Sequence, residues 1–406
     1  MSLASAAESM QNDLADLRKR LHQVPEVGLD LPQTQALVLE ALEGLPLEIT
    51  TGKSLTSVVA VLRGGARDDA SPRTVLLRGD MDGLPIVEET GLDWASTNGN
   101  MHGCGHDMHT AGLVGAARLL CGIRDELKGD VVFMFQPGEE GWDGAGHMLE
   151  EGLLEVSGRK PDAAYAMHAH AFDQTGIFST RPGPFMFASH ALHVTVKGES
   201  THGTMPYRGK DPVVAAAEMI TALQVMVTRN FTLFDPVVLS VGMIKGGSTN
   251  NTIPPEVTFS CTVRSQTNDT SPQLEKYVDQ YLTGIAAAHG VEVDYRFIRQ
   301  YPATINDADE AAFAEETIRA VLGDEAYTPQ VNPITGSEDF SRVLLEVPGA
   351  YIGYGASEPG LDAKTAPMNH SPYALFDMAM LSKASLVYAE LAARRLERFA
   401  REAAGA

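Results

Sequence analysis

The sequence predicts an α/β protein in which a mostly parallel sheet domain, residues 1–183 and 300–406, is interrupted by a ferredoxin-like β-α-β-β-α-β domain over 184–299. Three observations lead there. The chain has 406 residues, more than one ordinary hydrophobic core uses, so two domains or one large domain with an insertion are expected. Short apolar, β-branched runs alternate with helical stretches in both flanks, the pattern of a largely parallel sheet covered by helices. Near Gly183 that alternation gives way to a different order, and after about Arg299 it resumes.

Leu14, Leu17 and Leu21 recur at helical spacing over 13–22, behind Asp13 as a candidate cap. Strands follow at 58–62 and 75–77, then a helix near 111–120 and strands at 131–135 and 163–167. The insertion reads as strand 192–197, helix 212–229, strands 238–244 and 257–263, helix 273–288 and strand 291–297. A helix at 309–321, a strand at 350–354 and a long helix at 376–399 complete the large domain, ahead of a frayed tail.

Composition excludes several classes. Hydrophobic residues at 44% and charged residues at 21% match a packed globular protein rather than a disordered chain or a coiled coil. With 31 basic and 53 acidic residues the net charge is -22, a field that repels nucleic acid and anionic membranes. Cys104, Cys121 and Cys261 are odd in number and scattered, which predicts a reducing, cytoplasmic setting rather than a disulfide framework. Neither a signal-peptide pattern nor an 18-residue apolar run is present, so export and membrane insertion are not expected.

Open α/β sheets bind ligands at the C-terminal ends of their strands. After the run at 75–77 comes RGDMDGLP with Asp80 and Asp82, and after 131–135 comes QPGEEG with Glu139 and Glu140. His168 follows 163–167, and His370 lies in the loop beyond 350–354. HGCGHDMH packs His102, Cys104, His106, Asp107 and His109 between the first two. Cys104 and His106, two apart between glycines, are spaced to reach one cation. Thiolate, imidazole and carboxylate together suit zinc first, and manganese, cobalt or nickel next, better than calcium or magnesium. Adjacent glutamates divide the work of metal-assisted hydrolysis, one holding metal and one taking a proton from water.

Taken singly, each of these residues has a plainer reading as a cap, a core side chain or a surface charge; their joint occurrence at four strand ends is the signal. His22, His147, His190, His193 and His289 lack such company and read as structural, as Cys121 and Cys261 read as core. His170 is left open between a site residue and a neighbour on the same strand face. Glu338 and Asp339 in GSEDF are divided evenly between helix capping and a place near the metals.

LRGDMDGLP, MHGCGHDMHTAGLVGAARLL, FQPGEEGWDGAGHMLEEGLL, GESTHGTMPYRGKDPV, GGSTNNTIPPEVTFSCTVRS, GSEDF and NHSP together resemble the metal-dependent aminoacylase and carboxypeptidase family, in its amidohydrolase branch. That branch includes hippurate hydrolases, N-acyl-amino-acid amidohydrolases and auxin-conjugate amidohydrolases. The resemblance implies that Cys104, His106, Glu140, His168 and His370 bind two divalent metals per subunit, with Cys104 bridging. It implies Glu139 as general base and Asp82 as the carboxylate orienting a ligand from behind. The inserted domain corresponds to a lid through which subunits form a homodimer or higher homo-oligomer. His202 and Asn251 would stabilise the oxyanion, and Arg264 would pair with a substrate carboxylate. Two departures, AHAF after His168 and Tyr207 where a histidine is common, fall where substrate preference is set.

The expected activity is hydrolysis of the amide of an N-acyl amino acid to a carboxylic acid and a free amino acid. The alternatives are a metallo-exopeptidase acting on dipeptides or a peptide C-terminus, and a non-catalytic ligand-binding protein on the same scaffold.

Overall fold

The computed structural model describes residues 2–362 and 365–405. The chain forms two compact units: Met1–Phe185 with Ile305–Asn332 and Asp339–Ala406, and Met186–Thr304 with Pro333–Glu338.

The first unit is built on a seven-stranded sheet in the order Glu48–Thr51, Val58–Leu62, Asp130–Gln136, Thr74–Asp80, Ala163–His170, Gly349–Gly355, Phe178–Ser179. The four strands from Asp130–Gln136 to Gly349–Gly355 are parallel. The outer pairings are antiparallel, so the sheet is mixed where a largely parallel one was expected. Loop 52–57 accounts for one of them, being too short for the crossover that a parallel neighbour requires. Thr74–Asp80, Asp130–Gln136 and Gly349–Gly355 are buried along their whole length, which explains their unbroken apolar runs.

Two of these strands run further than their apolar runs. Thr74–Asp80 continues through Arg78 to Asp80, and Ala163–His170 includes both histidines that a hydropathy pattern places after it. The first helices are Leu3–Ser9 and Gln11–His22, with Asp13 inside the first turn of the second rather than at its cap. The last helix, Met380–Gly405, starts later than expected because Asp377 accepts the N–H of Ala379 at 2.9 Å, and it stays helical where fraying was expected.

Met380–Gly405 packs against helix His106–Gly122, and Ser385 Oγ donates to the carbonyl of Gly112 at 3.0 Å. Glycine at 115 is what permits this approach: a Cβ there would lie 2.1 Å from Ser385 Oγ and 3.0 Å from Leu14 Cδ1. The helix contact matters for function because His106–Gly122 begins at the HGCGHD loop.

The second unit runs Ala188–Lys197, Pro212–Asn230, Val237–Gly246, Glu256–Ser265, Thr270–His289, Glu292–Tyr301, in β-α-β-β-α-β order. Its antiparallel sheet is ordered Val237–Gly246, Glu256–Ser265, Ala188–Lys197, Glu292–Tyr301. Alternate strand residues Leu192, Val194, Val196, Phe259 and Cys261 share a core with Met219, Leu223, Leu274 and Val278 of the helices. Pro212–Asn230 has the length and mean hydropathy of a membrane-crossing helix, yet it buries Ala215, Ala216, Met219, Leu223 and Met226 within this unit. The late segment Pro333–Glu338 joins the same unit, where Phe187 N–H donates to the carbonyls of Ile334 and Gly336 at 3.2 and 3.0 Å.

Gly115→Ala is expected to lower the unfolding free energy by about 1–3 kcal/mol through overpacking. Urea denaturation checks it, and adding Ser385→Ala should recover part of the loss.

Candidate metal centre

Strand ends of the first unit supply most of the site. Asp80 ends its strand and Asp82 follows, Glu139 and Glu140 follow Asp130–Gln136, and His168 lies in the last turn of pleat of Ala163–His170. Cys104 and His106 flank Gly105, which has φ +84° and a virtual Cβ 2.8 Å from the Phe376 ring. That left-handed, crowded position suits glycine alone and turns the chain from loop into helix His106–Gly122.

Cys104 Sγ lies 3.4 Å from His168 Nε2 and 3.2 Å from His370 Nε2. His370 Nε2 is also 3.1 Å from Glu140 Oε1, and His106 Nε2 is 4.0 Å from the same oxygen. Among the sets whose donor atoms lie within 4.8 Å of one another are three that share members: Cys104, His106 and His168; Cys104, Glu140 and His370; His106, Glu139 and Glu140. Cys104 belongs to two of them. The fold thus gathers Cys104, His106, Glu139, Glu140, His168 and His370 from separate loops.

The hydrogen bonds around these groups aim lone pairs inward. Asp82 Oδ1 lies 3.2 Å from His106 Nδ1, and Asp82 Oδ2 accepts the N–H of Glu140 at 3.0 Å. His168 Nδ1 donates to the carbonyl of Ala169 at 2.9 Å, which leaves Nε2 as the acceptor facing Cys104. His106 Nε2 is buried without a hydrogen bond among the described residues, and Glu140 Oε1 is buried and out of line for a directed bond to His370. Buried polar atoms of this kind ordinarily have partners. A divalent cation of borderline softness fits them, since thiolate, imidazole and carboxylate converge there. Burial and the neighbouring His109 and His170 hold the His168 imidazole well below its ordinary range, neutral as a ligand must be. The hydrogen bond to Cys104 and the adjacent Glu140 carboxylate raise His370 to about 10, so a cation arriving at neutral pH displaces a proton.

Beneath the donors lies a layer of compensated charge. Burial opposes ionisation of Asp80, but Arg78, His106 and His109 outweigh it and hold the carboxyl well below its usual range. His109 Nδ1 meets Asp80 Oδ1 at 2.6 Å while its Nε2 accepts the N–H of Ala169 at 2.8 Å. Both ring nitrogens are therefore occupied, which separates His109 from the other members of HGCGHDMH. Asp339 accepts from Arg78, from Gln136 Nε2 at 2.8 Å, and from the N–H of Ala145 in the first turn of helix Gly144–Glu150, a helix other than the one it precedes, and a carboxylate oxygen of it lies within 4.8 Å of one of Glu139.

A second layer ties in the N-terminal helix. Asp107 is fully buried and accepts from Arg18 Nε at 2.9 Å and from His22 Nδ1 at 2.8 Å. His22 Nε2 reaches Glu88 Oε1 at 3.1 Å. Carboxylates only accept, so both nitrogens of His22 donate and the ring is a buried imidazolium. Burial lowers its pKa, yet the bonds to Asp107 and Glu88 raise it above the ordinary value. His102 beside it is pushed down to about 4 by burial. His22 was expected to be structural, and it is buried here as the link between Asp107 and Glu88. Its signal was legible, since Arg18 and His22, four apart, occupy the apolar stripe of Leu14, Leu17 and Leu21.

His202, Asn251 and Arg264 belong to the second unit. His202 pairs with Thr252 across a short two-stranded ladder, and Gly203 N–H donates to the carbonyl of Asn251 at 2.7 Å, so His202 and Asn251 are neighbours. Arg264 donates to Thr262 Oγ1 and the carbonyl of Val263, and no carboxylate pairs with it among the described residues. His170 pairs through Nδ1 with Asp173 at 2.8 Å and stacks on Phe172.

The model of peptidase family M20/M25/M40 matches residues 76–394, a span that contains every one of these candidate residues. The chain belongs to this family. It is 32% identical over 395 residues to the N-acetyl-L-cysteine deacetylase of Bacillus subtilis, covering 96% of this chain and 89% of the relative. It is 30% identical over 399 residues to thermostable carboxypeptidase 1 of Saccharolobus solfataricus, covering 95% and 98%. Among solved structures, the Bacillus subtilis YXEP protein, described as a dinuclear metal binding peptidase of the M20 family, superposes with a TM-score of 0.81 at 30% identity, covering 96% of this chain and 99% of that one. The M20 chain thus matches its relatives along nearly its whole length.

His22 supplies a pH test. A raised histidine pKa stabilises fully below the unfolded value of about 6.5 and loses that contribution as pH rises through the folded value. His22→Gln should cost about 3 kcal/mol at pH 6, and the gap from wild type should narrow as pH rises above the ordinary histidine range in paired denaturation curves.

Proposed function

We propose that this M20-family protein is a metal-dependent amidohydrolase that cleaves N-acyl amino acids to a carboxylic acid and a free amino acid, using two divalent cations per subunit with zinc as the first candidate. The observation that carries this reading is the pairing of adjacent glutamates, Glu139 and Glu140, within one cluster of thiolate, imidazole and carboxylate donors. Cys104, His106, Glu140, His168 and His370 would hold the metals, Cys104 serving both. When bound, such cations polarise an amide carbonyl and make an attacking water more acidic.

The protein's own residues supply the rest. Glu139 takes the proton from the attacking water on a carboxylate oxygen and returns it to the leaving nitrogen, so one group serves as base and then as acid. Asp82 keeps His106 and the Glu140 backbone in register from behind. In the lid role of 184–299, His202 and Asn251 stabilise the oxyanion, supported by their adjacency across the Thr201–His202 and Thr252–Ile253 ladder. Arg264 binds the substrate carboxylate, a role supported by its lack of an acidic partner among the described residues. The sheet edge Val237–Gly246, with Val238, Met243 and Ile244 exposed, supports association of lids into a homodimer. A reducing, cytoplasmic compartment keeps the Cys104 thiol available.

Thermostable carboxypeptidase 1 favours one second reading, exopeptidase action on unacylated peptides. Amine release from N-acyl amino acids and from dipeptides, with zinc, manganese, cobalt or nickel restored separately, decides between them. Release from acylated substrates that chelation abolishes is the expected result. Release from dipeptides alone would establish the peptidase, and silence with every metal would leave a binding scaffold. Glu139→Gln should lower kcat by about 10²–10⁴-fold while metal content, measured by elemental analysis, stays at the wild-type level.

A further inference from the structure

We propose that Asn369 is a positioning residue that fixes the spacing of the donor atoms by tying together the three segments carrying Cys104, His168 and His370. The inference rests on the reading of those three as metal ligands. Asn369 precedes His370, and its side chain reaches both other segments. Its Nδ2 donates to the carbonyl of Cys104 at 3.1 Å and to the carbonyl of Ala169 at 2.9 Å. Its Oδ1 accepts the N–H of Ala171 at 2.9 Å. The amide orientation is fixed by this set, since two carbonyls require the donor end and an N–H requires the acceptor end.

Each bond acts on a ligand. The Ala169 carbonyl that Asn369 holds is the one to which His168 Nδ1 donates, so Asn369 fixes the acceptor that sets the His168 tautomer. The Ala169 peptide is gripped from its other side as well, by His109 Nε2. The Cys104 carbonyl is held while Nδ2 also lies 3.9 Å from Cys104 Sγ. His370 itself sits at φ +68°, a left-handed conformation rare for a residue with a side chain, and its N–H donates to the carbonyl of Gly103 at 2.9 Å. Such a backbone persists where the surroundings over-determine it, and Asn369 is the flanking side chain that does so. No other residue type of this size presents two donors and an acceptor in that array. Aspartate keeps the shape and loses both donors, setting an oxygen against two carbonyl oxygens and the thiolate.

Cobalt(II) titration of the full-length protein tests this independently of turnover, because thiolate-to-cobalt charge transfer and the visible ligand-field bands report Cys104 and the coordination geometry. Wild type is expected to show both. Asn369→Ala and Asn369→Asp should bind cobalt at the thiolate site about 10–100-fold more weakly, with altered ligand-field bands. Val38→Ala, a core change in helix Pro32–Leu42, serves as a control of lowered stability with wild-type cobalt spectra. Wild-type affinity and spectra in either folded Asn369 variant would overturn the proposal, as would a lowered melting temperature with no spectral change. If the alanine variant does not fold, the isosteric aspartate variant carries the test. Absence of the thiolate band in wild type would overturn the ligand reading itself, and the proposal with it.

Discussion

A carboxylate removed from water must be neutralised where it is buried, and in this protein that requirement organises the ground beneath the donors. Asp80 and Asp107 are wholly buried. Asp80 is met by Arg78 and His109, and Asp107 by Arg18 and His22. Removing one member of such a set leaves an uncompensated charge in the interior, which costs far more than the intact pair contributes. These sets reach across the chain, from helix Gln11–His22 to the first turn of His106–Gly122 and from a central strand to Asp339, so the sheet ends cannot shift independently of them.

The same reasoning separates the supporting carboxylates from the chemical ones. Asp80 and Asp107 have guanidinium partners, which fix their charge whatever ligand is present. Glu140 meets the imidazoles of His106 and His370 and the sulfur of Cys104, and no guanidinium among the described residues. Imidazole is the partner that can exchange its proton for a metal, and a guanidinium cannot. The permanent cations therefore lie beneath the site and the exchangeable ones at its surface.

Much of this was legible in the sequence because strands of a buried sheet announce themselves as apolar runs and the residues following them fall at one edge. Glu139, Glu140, His168 and His370 stood out that way, and Cys104 and His106 by their spacing between glycines in HGCGHD. Three features were not. The antiparallel outer strands depend on pairing between segments that carry the same apolar signal whichever way they run. Strand ends were placed too early at 77 and 167, since hydropathy stops where Arg78, Asp80, His168 and His170 begin, although the backbone ladder continues. Asn369 escaped because its significance lies in carbonyls from residues about 200 and 265 positions away, and an asparagine before a histidine has no local signature.

Histidine illustrates how position rather than residue type decides chemistry. His22, His106, His109 and His168 lie in one unit and differ in which nitrogens are occupied. His22 is held by carboxylates at both and is a cation; His109 is closed by a carboxylate and an N–H and is neutral. His168 donates a hydrogen bond from Nδ1 to a backbone carbonyl, and His106 faces Asp82 through Nδ1, so each keeps Nε2 for the cluster. A donor set is thus defined as much by the groups that occupy the far nitrogen as by the atoms that face inward. That is why Asp82 and the Ala169 carbonyl belong to the working of the site as fully as the residues they orient.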